Sequence, residues 1–173
     1  MQRAFLQQDR VATGSVASAQ ASIATMLITN LQDPQPRRRA RLMGSSATII
    51  ADLEAEVPVD CVALISTTLG AGALAQARLA NVANFSVTFA DTGLVNAEVQ
   101  DESQGNVVLV FPAPITARYL RIDLTDGAAP YMDIGLLVAG QLWRLQRGTA
   151  YCIREGRVML DRRDRNPHIV IVD

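Results

Sequence analysis

The stretch "ARYLRIDLTDGAAPYMDIGLLVAG" (residues 117–140) decides the fold class. In its first half Leu120, Ile122 and Leu124 alternate with Tyr119, Arg121 and Asp123, the period of two that puts apolar side chains on one face of a strand. "DGAAP" then supplies turn chemistry: an Asp, a Gly and a Pro within five residues. Beyond it Met132, Ile134, Leu136 and Val138 form a second inward stripe. Arg118 and Arg121 are therefore strand-face residues, and the stretch reads as two strands joined by a turn, with no reactive group.

The same period runs outward from there. "SATIIADL" (46–53) and "PVDCVALIST" (58–67) read as strands separated by "EAEVP", and the second is apolar on both faces, as a central strand is. "LGAGALAQARLANVANFSVTFADTG" (69–93) holds a Gly-rich turn and then one or two strands. Within it Phe85, Val87 and Phe89 point one way and Ser86 and Thr88 the other. "NVVLVFPAP" (106–114) is a further strand, which its two prolines are expected to stop. Short strands between closely spaced turns predict an all-β sandwich, and no internal repeat points to a solenoid or propeller.

The two ends differ from this middle. Residues 1–25 are rich in Ala, Ser and Gln; Ala17, Ala21, Ala24 and Ile28 would share a helical face, or the segment is an arm ordered by a partner. "LQDPQPRRRARLMGSS" carries Pro34 and Pro36 and is not helical. After Gly140 the chain holds its one Trp, many Arg and acidic residues, and a terminal β-type run, His168–Val172. The expected organisation is an arm over 1–25, a sandwich over 26–140 and an extension for subunit contacts over 141–173.

Composition narrows function. The 173 residues are 49% hydrophobic with a formal net charge of −1, which suits a folded protein and supplies no basic excess for nucleic acid or anionic membrane. All 16 basic residues are Arg. With no Lys, Schiff-base chemistry, a catalytic Lys base and a P-loop are excluded. No stretch approaches the roughly 18 unbroken apolar residues of a membrane span. The start, "MQRAFLQQDR", makes a poor signal peptide, so synthesis and folding in the cytosol are expected.

Candidate chemistry is sparse. The one histidine, His168, sits in a β-type run, where it reads as a strand residue rather than a triad member. Cys61 and Cys152 have no metal-ligand spacing; Cys61 reads as a buried small hydrophobe, and a disulfide between the two stays open. Carboxylate pairs such as Asp52/Glu54 and Asp161/Asp164 are ordinary surface features. "DTG" and "DLTDG" offer oxygen ligands for calcium, but turn chemistry accounts for both. No catalytic, cofactor or metal residues are assigned, and no enzyme is expected. Arg37, Arg38 and Arg39, in "RRRAR" (37–41), are candidate contacts to an oxyanion or an acidic neighbour, or a solvated salt-bridged loop. No aromatics interleave with them, which counts against single-stranded nucleic acid. Tyr131 and Trp143 are the aromatics best placed to meet a sugar, though each reads first as a packing residue.

"ATIIADLEAEVPVDCVALIST", "ANFSVTFADTG" and "ARYLRIDLTDG…YMDIGLLVAG" resemble the early, middle and late strands of the galactose-binding-like, or discoidin-like, jelly roll. "MLITNLQDPQPRRRARL", "GLLVAGQLWRLQRGTAYCIREGRV" and "DRRDR" resemble tail proteins of long-tailed phages and gene-transfer particles, with Gly140, Trp143, Arg147, Tyr151, Arg162 and Arg163 at the corresponding positions. The chain departs from that pattern at Leu145-Gln146, where those proteins have Pro-Ser. This resemblance implies a structural component of a tail tip or baseplate, in a virion tail assembled in the host cytoplasm. Other tail proteins would be its partners, with Arg162 and Arg163 as subunit contacts. A symmetric homo-oligomer is expected, because "HIVIVD" would leave an apolar edge unpaired in a monomer. The alternative is a carbohydrate-binding adhesin module contacting host envelope glycan.

Overall fold

The computed structural model describes residues 4–6, 9–20, 23–35, 37–97, 105–144, 159–161 and 168–171. Its strands are β1 (Ala4–Leu6), β2 (Ser15–Ser18), β3 (Ala40–Met43), β4 (Ser46–Ile65), β5 (Leu74–Ala80), β6 (Ala90–Asp91), β7 (Val95–Asn96), β8 (Val107–Thr125), β9 (Tyr131–Ile134), β10 (Leu136–Gly140), β11 (Leu142–Arg144), β12 (Met159–Asp161) and β13 (His168–Ile171), with a short 3-10 segment at Ile28–Gln32. The large sheet runs β10-β4-β8-β5-β6, with β2 pairing to β4 and β7 to β5; β3 and β9 form a two-stranded sheet, and β11-β1-β13-β12 a four-stranded one. Every pairing is antiparallel. This is the all-β sandwich that the alternation predicts.

The breaks expected at "EAEVP" and at the prolines are absent. β4 and β8 are single strands of 20 and 19 residues that pair along almost their whole length. Both irregularities are absorbed as bulges. From Asp52↔Tyr119 to Val57↔Ala117, β4 advances five residues against two on β8; from Val59↔Ile115 to Cys61↔Val110, β8 advances five against two on β4. The first bulge ejects Glu54, Ala55 and Glu56 into solvent, with Glu54 in the left-handed region at φ 66°. The second ejects Pro112, Ala113 and Pro114, where a residue without an N–H costs no ladder bond. Equal insertions on the two strands cancel, so the ladder resumes beyond them.

The main core lies on the inner face. It takes Ala47, Ile49 and Ala51 of β4, Leu120, Ile122 and Leu124 of β8, and Ala75, Ala77 and Leu79 of β5; beyond the bulges Val62, Leu64, Val107, Leu109 and Phe111 continue it. Leu31, Ala40, Leu42, Met132 and Ile134 close it from the side of the small sheet. A second cluster covers the outer face at one end only: Cys61, Ala63, Ile65, Leu136 and Val138, with Val108 and Leu142 packed against it. This is why "VDCVALI" is apolar on both faces. The expected stripe Met132–Val138 divides at Gly135, where the chain passes from the small sheet into the large one. Met132 and Ile134 share the main core with Leu137 and Ala139, while Leu136 and Val138 face outward.

Three further expectations are corrected. Residues 85–89 form no strand: Phe85 has φ 53°, its N–H donates to the Val82 carbonyl, and the Asn84 side chain accepts from the Ser86 N–H. Bonding to β5 begins only at the end of the run, where Phe89 N–H donates to the Leu79 carbonyl and Ala90 pairs with Leu79, leaving Val87 57% and Phe89 49% exposed. Alternation there lacks the partner that a strand requires. Ala17 is in a strand rather than on a helix, paired to Ile50. The terminal run is no unprotected edge, because β13 lies between β1 and β12 of its own chain. The edge that motivated self-association is thus already satisfied.

Two local constraints hold the N-terminal segment to the sandwich. Gly14 lies so close to β4 that an added Cβ would sit 2.0 Å from the Asp52 carbonyl oxygen. Gly14→Ala should therefore cost about 3 kcal/mol through forced separation of the strands, whereas Gly72→Ala, at φ 76° in open space, should cost about 1–2 kcal/mol of backbone strain; urea denaturation of both variants checks the order. At the outer edge of β10, Arg10 N–H donates to the Ala139 carbonyl (2.8 Å), and Asp9 Oδ1 accepts from the N–H groups of Val11 (3.0 Å) and Ala139 (3.3 Å). Burial raises the Asp9 carboxyl to about 6 against these lowering hydrogen bonds. Between pH 4 and 6 the folded state then holds a proton that the unfolded chain has released, so this group's contribution to stability falls as pH rises. Asp9→Asn should remove that slope from the pH dependence of the urea midpoint, and an unchanged slope would refute it.

Candidate functional site

β3 and β9 pair in the register Ala40↔Ile134, Arg41↔Asp133, Leu42↔Met132 and Met43↔Tyr131. Because Ala40, Leu42, Met132 and Ile134 are fully buried, the alternate residues Arg41, Met43, Tyr131 and Asp133 stand on the outer face. The cross-strand pair is a two-point ion pair: Arg41 Nε donates to Asp133 Oδ1 at 2.7 Å and Nη2 to Oδ2 at 2.8 Å. The Arg41 guanidinium also lies 3.8 Å from the centroid of the Tyr131 ring. One fork therefore locks a carboxylate and an aromatic in fixed relation. Hydrogen bonding to Asp133 raises the Arg41 pKa further, so the guanidinium stays charged throughout the physiological range.

The loop after β4 braces this face from the side. Thr68 N–H donates to the Asp133 carbonyl, and Asp133 N–H donates to Thr68 Oγ1, both at 3.0 Å. Arg39 Nη2 donates to Ser66 Oγ at 3.0 Å. Ser66 is left-handed at φ 57°, its N–H held by Asn106 Oδ1, and Thr67 N–H is bound to the Gly105 carbonyl. A Cβ on Gly105 would meet that loop at 2.6 Å from the Thr67 carbonyl oxygen, so glycine permits the close approach. The buried Thr67 Oγ1 has no hydrogen-bond partner among the described residues. The result is a rigid shelf with two guanidiniums, one carboxylate, two hydroxyls and a half-open aromatic ring.

The structure thus joins Arg39 and Tyr131 of the residues singled out by sequence, and separates the rest. Tyr131 packs against the Arg41 guanidinium and is 37% exposed. Arg37 is exposed, and Arg38 makes a surface ion pair with Asp33 at 3.1 Å. Trp143 belongs to the terminal sheet, in register with Phe5. Arg162 and Arg163 lie outside the described residues, as does Cys152. Arg41 and Asp133, which organise the site, were missed. The available signal was the alternation "RARL" against "YMDI", which places both at outward positions.

The outer face of the large sheet carries charge of another kind. Arg118 makes a two-point pair with Asp52 at 2.9 Å each, which holds the Asp52 carboxyl below its usual range. Burial pushes Asp123 up, but hydrogen bonds from Arg121, Arg78 and Thr48 outweigh it and hold that carboxyl low. These groups are held mainly by one another and read as a solvated strand face, though the buried Arg78 Nε has no hydrogen-bond partner among the described residues. Among the described residues no three His, Cys, Asp or Glu gather as a metal site, and no helix is long and apolar enough to cross a membrane.

Removing Arg41 alone would strand the Asp133 carboxylate, whose side chain is 8% exposed, without its cation. Arg41→Met should therefore lower the denaturation midpoint, and Arg41→Met combined with Asp133→Asn should recover part of the loss. A double variant less stable than Arg41→Met would contradict the pairing.

No family model matches the chain, and no curated protein matches it. Solved structures do. Chitosan-binding module 1 from a chitosanase/glucanase of Paenibacillus sp. IK-5 has 14% identity and a TM-score of 0.63, over 78% of this chain and 100% of that one. The CBM32 of AlyQ, in complex with 4,5-unsaturated mannuronic acid, has 19% identity and a TM-score of 0.56, over 80% and 97%. The lectin domain of lectinolysin, complexed with Lewis B antigen, has 12% identity and a TM-score of 0.60, over 78% and 96%. At these identities the likeness is one of fold, and the fold is a galactose-binding-like β-sandwich.

Proposed function

We propose that the chain is a carbohydrate-binding module whose glycan lies on the outer face of β3 and β9. The observation that carries the reading is the exposed Tyr131 ring fixed by the Arg41–Asp133 pair. An aromatic plane offers the apolar C–H face of a sugar a flat contact, and rigid polar groups at its rim orient hydroxyls. Arg41 covers part of the ring and is itself held by Asp133, so the surface is set before a ligand arrives and little order must be created on binding. Similarity to modules described with chitosan, mannuronic acid or Lewis B antigen supports the same class of ligand. The role is recognition without catalysis.

The module's setting is that of an adhesin contacting envelope glycan. The sequence resemblance to tail proteins, carried by Gly140, Trp143 and the Arg162–Arg163 pair, supports a second reading as a structural piece of a tail tip or baseplate. One structural feature favours that reading: β1 from one end of the chain joins β11, β12 and β13 from the other in a sheet of their own. Such a sheet offers a surface for neighbouring subunits that the glycan reading does not use. The two roles are compatible in one chain.

Glycan-array screening followed by calorimetric titration tests the binding role. Saturable binding is expected, lost at least tenfold in Tyr131→Ala and unchanged in Trp143→Ala. Absence of binding across the array, or binding indifferent to Tyr131, would overturn the proposal.

A further inference from the structure

Charge on the shelf is unbalanced. Arg41 is neutralised by Asp133, and Arg38 by Asp33, whereas Arg39 has no ion pair among the described residues. Its partner is a neutral hydroxyl, Ser66 Oγ. A guanidinium held by a hydroxyl is positioned without being neutralised, and one such contact leaves most of its five N–H donors available. The structure also invests in that hydroxyl. Ser66 is kept in a left-handed conformation, which costs energy for a residue with a side chain, by Asn106 and by the tie between Thr67 and Gly105. The neighbouring Thr67 Oγ1 is buried without a partner among the described residues.

Arg39 and Arg41 flank the buried Ala40, so they leave the strand on the same side, about 7 Å apart at their Cα atoms. Tyr131 is opposite Met43, four residues along from Arg39, which separates the level of the ring from that of Arg39 by about 13 Å. A single sugar ring on Tyr131 does not extend so far along the strands, but a short oligosaccharide does.

From this layout we infer that the shelf selects acidic oligosaccharides, with one sugar ring against Tyr131 and the carboxylate of another, uronic-acid unit on Arg39. This rests on the carbohydrate-binding reading and adds the ligand's charge and minimum length to it. Arg39 meets the carboxylate through its planar fork, as Arg41 meets Asp133. The chain as a whole is slightly acidic, with a net charge of −1, so the preference comes from a local group and not from a general attraction; Arg37, exposed and also without an ion pair among the described residues, has no contact that fixes it on the shelf, whereas Arg39 is held there by Ser66.

The test is titration of the full chain with hexameric uronic-acid oligosaccharides and with the same hexamers after reduction of their carboxyl groups to neutral alcohols. The acidic form of at least one hexamer should bind about tenfold more tightly than its reduced form, as expected for one charge-assisted contact, and the difference should shrink in high salt. Arg39→Gln should abolish the difference between the two forms, while Tyr131→Ala weakens both forms. Equal affinity for the two forms, or an acidic preference that survives Arg39→Gln, would overturn this inference and leave the carbohydrate-binding reading standing. Failure of both forms and of every neutral glycan to bind would overturn that reading, and this inference with it. A urea midpoint for Arg39→Gln equal to that of the unsubstituted protein shows that the change acts at the surface.

Discussion

The structure depends on the ladder between β4 and β8. Two strands of 20 and 19 residues must keep a continuous apolar face inward, yet each contains a stretch that cannot lie in a ladder. Each expels its stretch as a bulge, and the two displacements cancel. Had only one strand been bulged, every residue beyond it would have slipped in register, and its core side chains would have met the wrong partners. The core on both sides of the bulges, from Ile49 and Ile122 to Leu64 and Val107, follows from that cancellation. So does the position of the loop Ser66–Thr68, which starts where β4 ends and braces the outer face of β9.

On this frame the candidate site is a small sheet carried at the side of a large one. Its inward residues, Leu42 and Met132 among them, anchor it in the main core; its outward residues are then fixed by backbone register alone. Register brings Arg41 opposite Asp133, and their two-point pair aligns Tyr131. Contrast the outer face of the large sheet, where Asp123 is shared by Arg78 and Arg121 and bonded by Thr48 as well. There one carboxylate holds two guanidiniums directly. On the small sheet Arg39 is held by a neutral hydroxyl instead, and that difference is the basis of the proposed recognition surface.

Much of the fold was legible because apolar alternation is a local signal. The strands around Leu120–Leu124 and Ile49–Leu53 stand where the period of two puts them. The prolines misled because proline forbids a ladder bond, not a strand: at Pro112 and Pro114 the bulge removes the need for that bond. Residues 85–89 misled in the opposite sense, since alternation describes a face but supplies no neighbouring strand, and a turn at Asn84-Phe85 took the segment away from β5. The pairing of β13 with β1 joins the two ends of the chain, a contact on which no local pattern bears. The site was half legible for a similar reason. Tyr131 and Arg39 stood out by residue type, but Arg41 and Asp133 are 92 residues apart and become a pair only through the β3–β9 register.

The central claim is that the outer face of β3 and β9 is the recognition surface. Amide chemical-shift mapping during addition of a bound glycan tests it directly. Perturbations should centre on residues 39–43, 66–68 and 131–135. Perturbations confined instead to the exposed segment 82–94, or to the charged face around Asp123, would contradict the account.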